Sequence, residues 1–348
     1  MSNVIVSDSP HIRGNATTKR IMIDVLIALL PATVMGIVYF GLKACIVLLL
    51  SVVSAIATEF VYKLCLKQNF KKIIRDFDFT SAITGLLLGL CLPSTVYWYV
   101  PVLSSIFAVA IVKMLFGGTG QNIVNPAITG RVFAFIAFPA IMTSGYVLPK
   151  IEAIFEIVLS SASASTSDVW TGATALTTLL SDGISYFTYS KTDLFLGTGV
   201  AGCIGETCKL ALIVGGVYLS IRKVICPVYP IIYIGVCGLF TVMLNGFDFE
   251  YFLPSILSGG LILGAIFMAT DYVTSPTTKV GRVIYYTALG LLTAGLRKAT
   301  GIEVVSFAIL LMNLVVPLIT RFTRPRNFGE KSRFTSIKEK FSKKEKNV

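Results

Sequence analysis

Apolar residues run along this chain in blocks of roughly 20, the length of helix that a hydrocarbon core of about 30 Å requires. The blocks lie near 20–41, 44–66, 80–99, 101–116, 122–142, 196–221, 225–244, 252–272, 281–297 and 302–321. The pattern predicts an all-α integral membrane protein with about ten transmembrane helices. Glycine and proline inside several blocks are tolerable, because neighbouring helices can satisfy the freed backbone groups. One long polar interruption, 143–195, gives the layout: an N-terminal segment 1–19, a five-helix unit 20–142, a loop, a second five-helix unit 196–321 and a tail 322–348. Five is odd, so a repeat of the first unit would enter from the opposite side. G-L-L-L-G-L at 85–90 matches G-L-I-L-G-A at 260–265, and each runs into a polar turn. Two inverted five-helix repeats are therefore expected, with chance similarity between glycine-rich helices the competing explanation.

Composition strengthens the membrane reading. Only 14% of the 348 residues are charged, against roughly 25% in soluble domains, and the mean hydropathy is +0.80. The N-terminus has no apolar stretch followed by a cleavage site and is not expected to be a signal peptide. Seven scattered cysteines without a C-x-x-C are expected to be apolar fillers. The single histidine, His11, excludes an intramembrane haem held by paired imidazoles.

The net charge of +12 falls where a membrane anchor needs it, largely in the tail after Arg321, so no nucleic-acid partner is expected. Placing Arg13, Lys19 and Arg20 inside also puts Lys63, Lys67, Lys71, Lys72, Arg75, Arg222, Lys223, Lys279, Arg282 and the tail inside. Both termini are then cytoplasmic in a multi-pass protein of the inner (cytoplasmic) membrane. Outside fall the aromatic S-T-V-Y-W-Y-V-P, the acidic N-G-F-D-F-E and the 143–195 loop. Arg297 and Lys298 run against the rule, with Glu303 a candidate partner.

Charges within the apolar blocks need a reason, since each costs about 2.5–3.5 kcal/mol at a helix centre. Asp24, Glu59 and Lys113 lie near block ends, where snorkelling suffices. Glu206, in G-C-I-G-E-T-C-K, has Lys209 three residues on as a neutralising partner, and Asp271 sits in A-T-D-Y-V-T-S-P. Arg131, Glu206, Thr207, Asp271, Thr274 and Ser275 are candidates for a cofactor or ion pathway; a hydrogen-bonded helix end explains Asp271 equally well. In F-G-G-T-G-Q-N-I-V-N-P-A-I-T-G-R, Asn122 and Asn125 would share a helical face and present amides to a planar ligand, or would simply cap a helix entry.

The 143–195 loop holds L-S-S-A-S-A-S-T-S and then D-V-W-T-G-A-T, residues 168–174. That heptapeptide resembles D-x-x-[ST]-G-A-[ST], the signal by which bacterial flavin transferases place FMN on the final hydroxyl. Together with F-G-G-T-G-Q-N-I-V-N-P-A, I-G-E-T and M-A-T-D-Y-V-T-S-P-T-T-K-V-G-R, in that order, it makes the chain resemble the D subunit of the Rnf complex, the ion-translocating ferredoxin:NAD oxidoreductase of bacterial membranes. The resemblance runs from S-P-H-I-R at 9–13 to about 328. The B subunit of the sodium-pumping NADH:quinone oxidoreductase shares these motifs but carries a longer N-terminal extension.

The resemblance implies a urea-channel-like fold, covalent FMN on Thr174, and recognition of Asp168, Thr171, Gly172 and Ala173 by a maturing flavin transferase. It also implies a second, noncovalent flavin, riboflavin, near Asn122 and Asn125. Partners would be flavin and iron–sulfur subunits of a membrane redox complex. The chain has no phosphate loop or Cys/His cluster, so NAD and ferredoxin are expected on those partners and no complete active site on this chain alone. Electrons would pass coupled to Na⁺ or H⁺. The competing functions are a small-solute channel of urea-transporter type, which leaves T-G-A-T without a purpose, and a purely structural anchor, in which Thr174 would be dispensable.

Overall fold

Fourteen α-helices and no β-strand make up the described part of this computed structural model, which covers residues 17–75, 77–149, 174–181, 183–184, 187 and 189–325. The opening helix α1 (Thr18–Cys65) starts where the Thr17 hydroxyl accepts from Arg20 N, and breaks once, at Gly41, whose φ of 68° and ψ of −151° are non-helical. The two predicted blocks 20–41 and 44–66 are its two arms. One face packs small residues (Ala28, Ala32, Gly36, Ala44, Ala55) into the protein. The other leaves Leu30, Val34, Leu42, Leu49 and Val53 more than half exposed, a surface that suits lipid and not water.

Helices α2 (Phe70–Arg75) and α3 (Thr80–Leu90) follow. Packing of α3 on α1 is close enough that a Cβ on Gly85 would lie 2.6 Å from Ser51 O, which is why no side chain stands there. Then come α4 (Tyr99–Ile106), continued by a π-helical stretch Phe107–Met114, α5 (Pro126–Ala137), α6 (Pro139–Ser144), α7 (Ala175–Ser181) and α8 (Lys191–Leu196). The second half contains α9 (Lys209–Ile221), α10 (Val228–Leu244), α11 (Phe252–Leu257), α12 (Leu261–Leu263) running into a π-helical stretch Gly264–Met268, α13 (Lys279–Thr300) and α14 (Val305–Thr323). The core is continuous across both halves, with Leu29, Leu90, Ile128, Leu212, Tyr233, Leu261 and Tyr285 fully buried in it.

Several predicted blocks are not continuous helices. Thr18–Cys65 and Val305–Thr323 are long and apolar enough to cross a membrane, and Phe249–Leu257 with Leu261–Met268 would make a third if taken as one span bent by 68°. The block 80–99 stops as helix at Leu90, short of Pro93, after about 16 Å of rise. Block 122–142 starts only at Pro126 and is interrupted at Phe138 before Pro139. Block 196–221 is helical only from Lys209, because Gly197 and Gly199 take positive φ (86° and 73°) ahead of it. Block 252–272 breaks at 258–260, with Gly259 at φ 70°. These are half-helices, and their ends build the candidate sites.

Candidate functional site

Two recesses are joined by the same helices. The larger, about 840 Å³ counting space open to the outside, is lined by Thr80, Lys113, Thr119, Asn122, Asn125 and Asp271 over apolar walls from α1, α3 and α9. Both π-helical stretches face it, through Lys113 and through Ile266 and Phe267. The smaller, about 350 Å³, is lined by Tyr146, Thr174, Gly202, Glu206, Thr207, Lys209, Gly259 and Glu303. Helix α9 runs from one to the other: Lys209 lies in the Thr174 cleft and Leu219 in the Asn125 cavity, a rise of about 15 Å.

Asn125 is the cap of α5. Its Oδ1 accepts from Ala127 N (3.0 Å) and Ile128 N (3.5 Å), and its Nδ2 donates to Met268 O (3.2 Å), tying the two halves of the chain together. Asn122 Nδ2 donates to Val124 O at 3.0 Å. The two asparagines do not share a helical face as expected, because 115–125 is non-helical; they reach the same cavity as part of a turn. Gly117, Gly118 and Gly120, at φ 113°, 95° and 89°, make that turn possible.

The expectation that Glu59 and Lys113 snorkel is wrong. They are 1% and 3% exposed, and Lys113 Nζ lies 3.0 Å from Glu59 Oε2, 2.8 Å from Ser81 Oγ and 2.5 Å from Thr80 Oγ1. Glu59 also accepts from Lys63 and Ser81. Beside this network Asp78 accepts from Thr80 N (3.2 Å), Thr80 Oγ1 (2.6 Å) and Thr119 Oγ1 (2.7 Å). Burial pushes the Asp78 carboxyl up, but these bonds outweigh it and hold the group below its ordinary value. Asp24 is buried as well, and Arg222 reaches it at 3.2 Å.

Asp271 sits in a hydrogen-bonded turn: Thr274 Oγ1 donates to its Oδ2 (3.2 Å) and Val273 N to its Oδ1 (3.4 Å), while Ser275 N donates to its carbonyl (3.2 Å). Thr274 is buried outside both recesses and Ser275 borders a third, with Tyr229 and Arg282.

At the other recess, Thr174 is half-buried and lines the cleft; its hydroxyl accepts from Thr177 N (3.3 Å) and donates to Thr177 Oγ1 (3.3 Å). Asp168, Thr171, Gly172 and Ala173 lie outside the described residues. Glu206 Oε1 accepts from Cys203 N at 2.9 Å. Lys209 does not contact the Glu206 carboxylate directly, as the i+3 spacing suggested; its ammonium donates to the Glu206 main-chain carbonyl, since Lys209 opens α9 while Glu206 lies in the preceding turn. Arg131, one and a half turns into α5 from Asn125, approaches Cys203 Sγ at 3.9 Å. The break at 258–260 lies between these groups. A Cβ on Gly260 would sit 2.9 Å from Glu206 Oε2 and 3.5 Å from Arg131 Nη1, and one on Gly259 would collide with the Glu303 carboxylate. Glu303 is the partner of Arg297, as expected, at 3.0 Å; Arg297 also donates to Ser255 O (2.9 Å) and Ser258 O (3.4 Å), while Lys298 donates to Asn245 Oδ1.

Sequence reasoning thus missed Lys113, Thr80 and Thr119 at the cavity, with Glu59 behind Lys113, and Lys209, Gly259 and Glu303 at the cleft. The available signals were the adjacent hydroxyls Thr80–Ser81 after Asp78 and a Gly-Gly pair inside an apolar block.

A model of the NQR2, RnfD, RnfE family matches residues 5–329. The D subunit of the Na(+)-translocating ferredoxin:NAD(+) oxidoreductase complex of Acetobacterium woodii is 41% identical over 329 residues, covering 94% of this chain and 96% of that protein. The D subunit of the proton-translocating ferredoxin:NAD(+) oxidoreductase complex of Clostridium ljungdahlii is 37% identical, covering 93% and 96%. The D subunit of the ion-translocating oxidoreductase complex of Stutzerimonas stutzeri is 36% identical, covering 91% and 94%.

Proposed function

Because the chain belongs to the NQR2, RnfD, RnfE family, we propose that it is the D-type membrane subunit of an ion-translocating ferredoxin:NAD oxidoreductase complex and carries FMN esterified to Thr174. The similar proteins named above are D subunits, which favours this over a B-type subunit of a sodium-pumping NADH:quinone oxidoreductase.

The observation that carries the attachment site is the state of three neighbouring hydroxyls. Thr177 Oγ1 donates to Thr174 O (2.7 Å) and Thr178 Oγ1 to Ala175 O (3.0 Å), so both are turned to the helix backbone. Of the three, Thr174 alone lines the cleft, and it alone follows Gly-Ala. FMN, when bound, supplies one- and two-electron chemistry, and the chain supplies position and electrostatics. A tether also keeps the cofactor's local concentration high on a cell face without a flavin pool.

The Asn125 cavity suits the noncovalent riboflavin: its walls are largely apolar and its polar groups few. Both ends of the Asn125 amide, the three Lys113 protons and the Thr80 and Thr119 hydroxyls are already bonded, so Asn122 is the residue placed to meet the ligand, with the others holding the wall. Arg222 and Lys223, at the cavity end of α9, support a cytoplasmic position for it, and the Thr174 cleft then faces outward. Electrons passing between these positions, onward to flavin and iron–sulfur subunits, would be coupled to Na⁺ or H⁺; the relatives use both ions.

An inverted pair of five-helix units of urea-channel type is part of the same proposal. Phe-Asp-Phe occurs at 77–79 and again at 247–249, and each aspartate accepts from the backbone N–H two residues on, Thr80 at 3.2 Å and Glu250 at 2.9 Å. A buried cation late in the fourth and in the ninth predicted block, Lys113 and Arg297, then grips the start or the break of the block before it.

The test is in-gel flavin fluorescence of the denatured chain co-expressed with a flavin transferase. Thr174→Ala should abolish it while Thr177→Ala and Thr178→Ala retain it; fluorescence persisting in Thr174→Ala would reject the assignment.

A further inference from the structure

Around the Thr174 cleft the described residues place three buried cations, Arg131, Lys209 and Arg297, against two carboxylates, Glu206 and Glu303. The cations are 7%, 3% and 2% exposed. Only Arg297 has an ion-pair partner among the described residues, Glu303 at 3.0 Å. Lys209 donates to a main-chain carbonyl, and Arg131 approaches a thiol sulfur at 3.9 Å. Glu206 Oε1 is taken by Cys203 N at 2.9 Å. Among the described residues the cluster therefore sets three cations against two carboxylates, one positive charge in excess, in surroundings where an uncompensated charge is expensive and calls for a counter-ion. Lys209 is the cation that lines the cleft with Thr174; Glu206 and Glu303 line it too, Glu303 paired with Arg297 and Glu206 facing Arg131 across Gly260, and the two glycines of the α11–α12 break keep the space between the charged groups clear of side chains.

We infer that Lys209, backed by Arg131, is the counter-charge for the phosphodiester that joins the cofactor to Thr174, an inference that rests on the flavinylation proposed above. A phosphate esterified twice keeps one ionised oxygen at neutral pH, and one negative charge is what the cluster lacks. Lys209 is thus a positioning residue: it fixes the phosphate end and so the direction in which the tethered cofactor leaves the chain.

The experiment is a four-protein cycle on the full chain purified in detergent after co-expression with a flavin transferase: wild type, Lys209→Met, Thr174→Ala and the double variant. Covalent flavin is quantified by in-gel fluorescence, and thermal midpoints are compared. Without the ester, removing Lys209 relieves an uncompensated charge, so Lys209→Met raises the midpoint of Thr174→Ala by about 2 °C or more. With the ester in place the same substitution strands the phosphate and lowers the midpoint by a similar amount. A shift of the same sign in both backgrounds overturns the inference. Should Lys209→Met block loading, Lys209→Arg decides: full loading of the arginine variant upholds the role of charge, and its failure overturns it. A wild-type chain without covalent flavin would instead reject the attachment reading itself.

Discussion

Lys113 places its ammonium 3.0 Å from Glu59 Oε2 although the two residues are 54 positions apart and come from different helices. The pair is buried, and Thr80 and Ser81 at the start of α3 complete the ammonium's hydrogen bonds. A half-helix that stops at Leu90 cannot be held by its length alone; this pair pins its first turn to α1.

Breaking that pair from one side leaves a buried charge. Glu59→Leu should destabilise the chain by about 3–5 kcal/mol and Lys113→Met by less, because Lys63 still pairs with Glu59, while the double variant Lys113→Met/Glu59→Leu recovers much of the loss. Fluorescence-detected size exclusion of detergent extracts after graded heating measures this. Additive losses in the double variant would contradict the pairing.

The glycines of the α11–α12 break are predicted to be unequal to other glycines. Gly259→Ala meets both a φ of 70° and the Glu303 carboxylate, and should cost about 2 kcal/mol or more. Gly295→Ala, in the middle of α13 with nothing within 4 Å, should be neutral or stabilise by about 0.5–1 kcal/mol. Thermal midpoints of the two variants provide the comparison.

Separation of the two asparagines tests the cavity. Asn122→Ala should lower the content of flavin released by acid without changing thermal stability, and Asn125→Ala should cost about 1 kcal/mol through its lost helix cap. In both, covalent fluorescence should persist. Equal stability losses would show Asn122 to be structural.

Asp78 gives a pH signature. Its carboxyl is held below its ordinary value in the folded chain, so its contribution is fully present above the unfolded value, about 3.9, and is lost as pH falls through the lower folded value. The midpoint difference between wild type and Asp78→Asn should be constant from about pH 8 to pH 5 and close only below about pH 4. A difference that closes near neutrality would contradict the hydrogen-bonded carboxylate.

How far the sequence reveals this arrangement depends on the range of the interactions involved. Apolar length and the distribution of lysine and arginine mark where helices run, and the prediction succeeds for both arms of α1 and for α14, whose lipid-facing stripes are local properties. It overreaches at 80–99 and 252–272, because hydropathy does not register that Pro93 or a Gly-Gly pair ends a helix whose neighbours remain apolar. The Glu303–Arg297 pair was legible because only six residues separate its members. Lys113 with Glu59 was not, since nothing local distinguishes a lysine that snorkels from one met by a carboxylate on another helix. The motif singles out Thr174 from sequence alone; that Glu206, Lys209 and Glu303 line a cleft with it emerges only from the fold.

Peptide mass mapping of the segment spanning 151–191 from chain matured in a flavinylating host tests the account most directly. It predicts a single modified peptide carrying one FMN minus water, with fragmentation placing the added mass on Thr174. An unmodified peptide, or the mass on another hydroxyl, would contradict it.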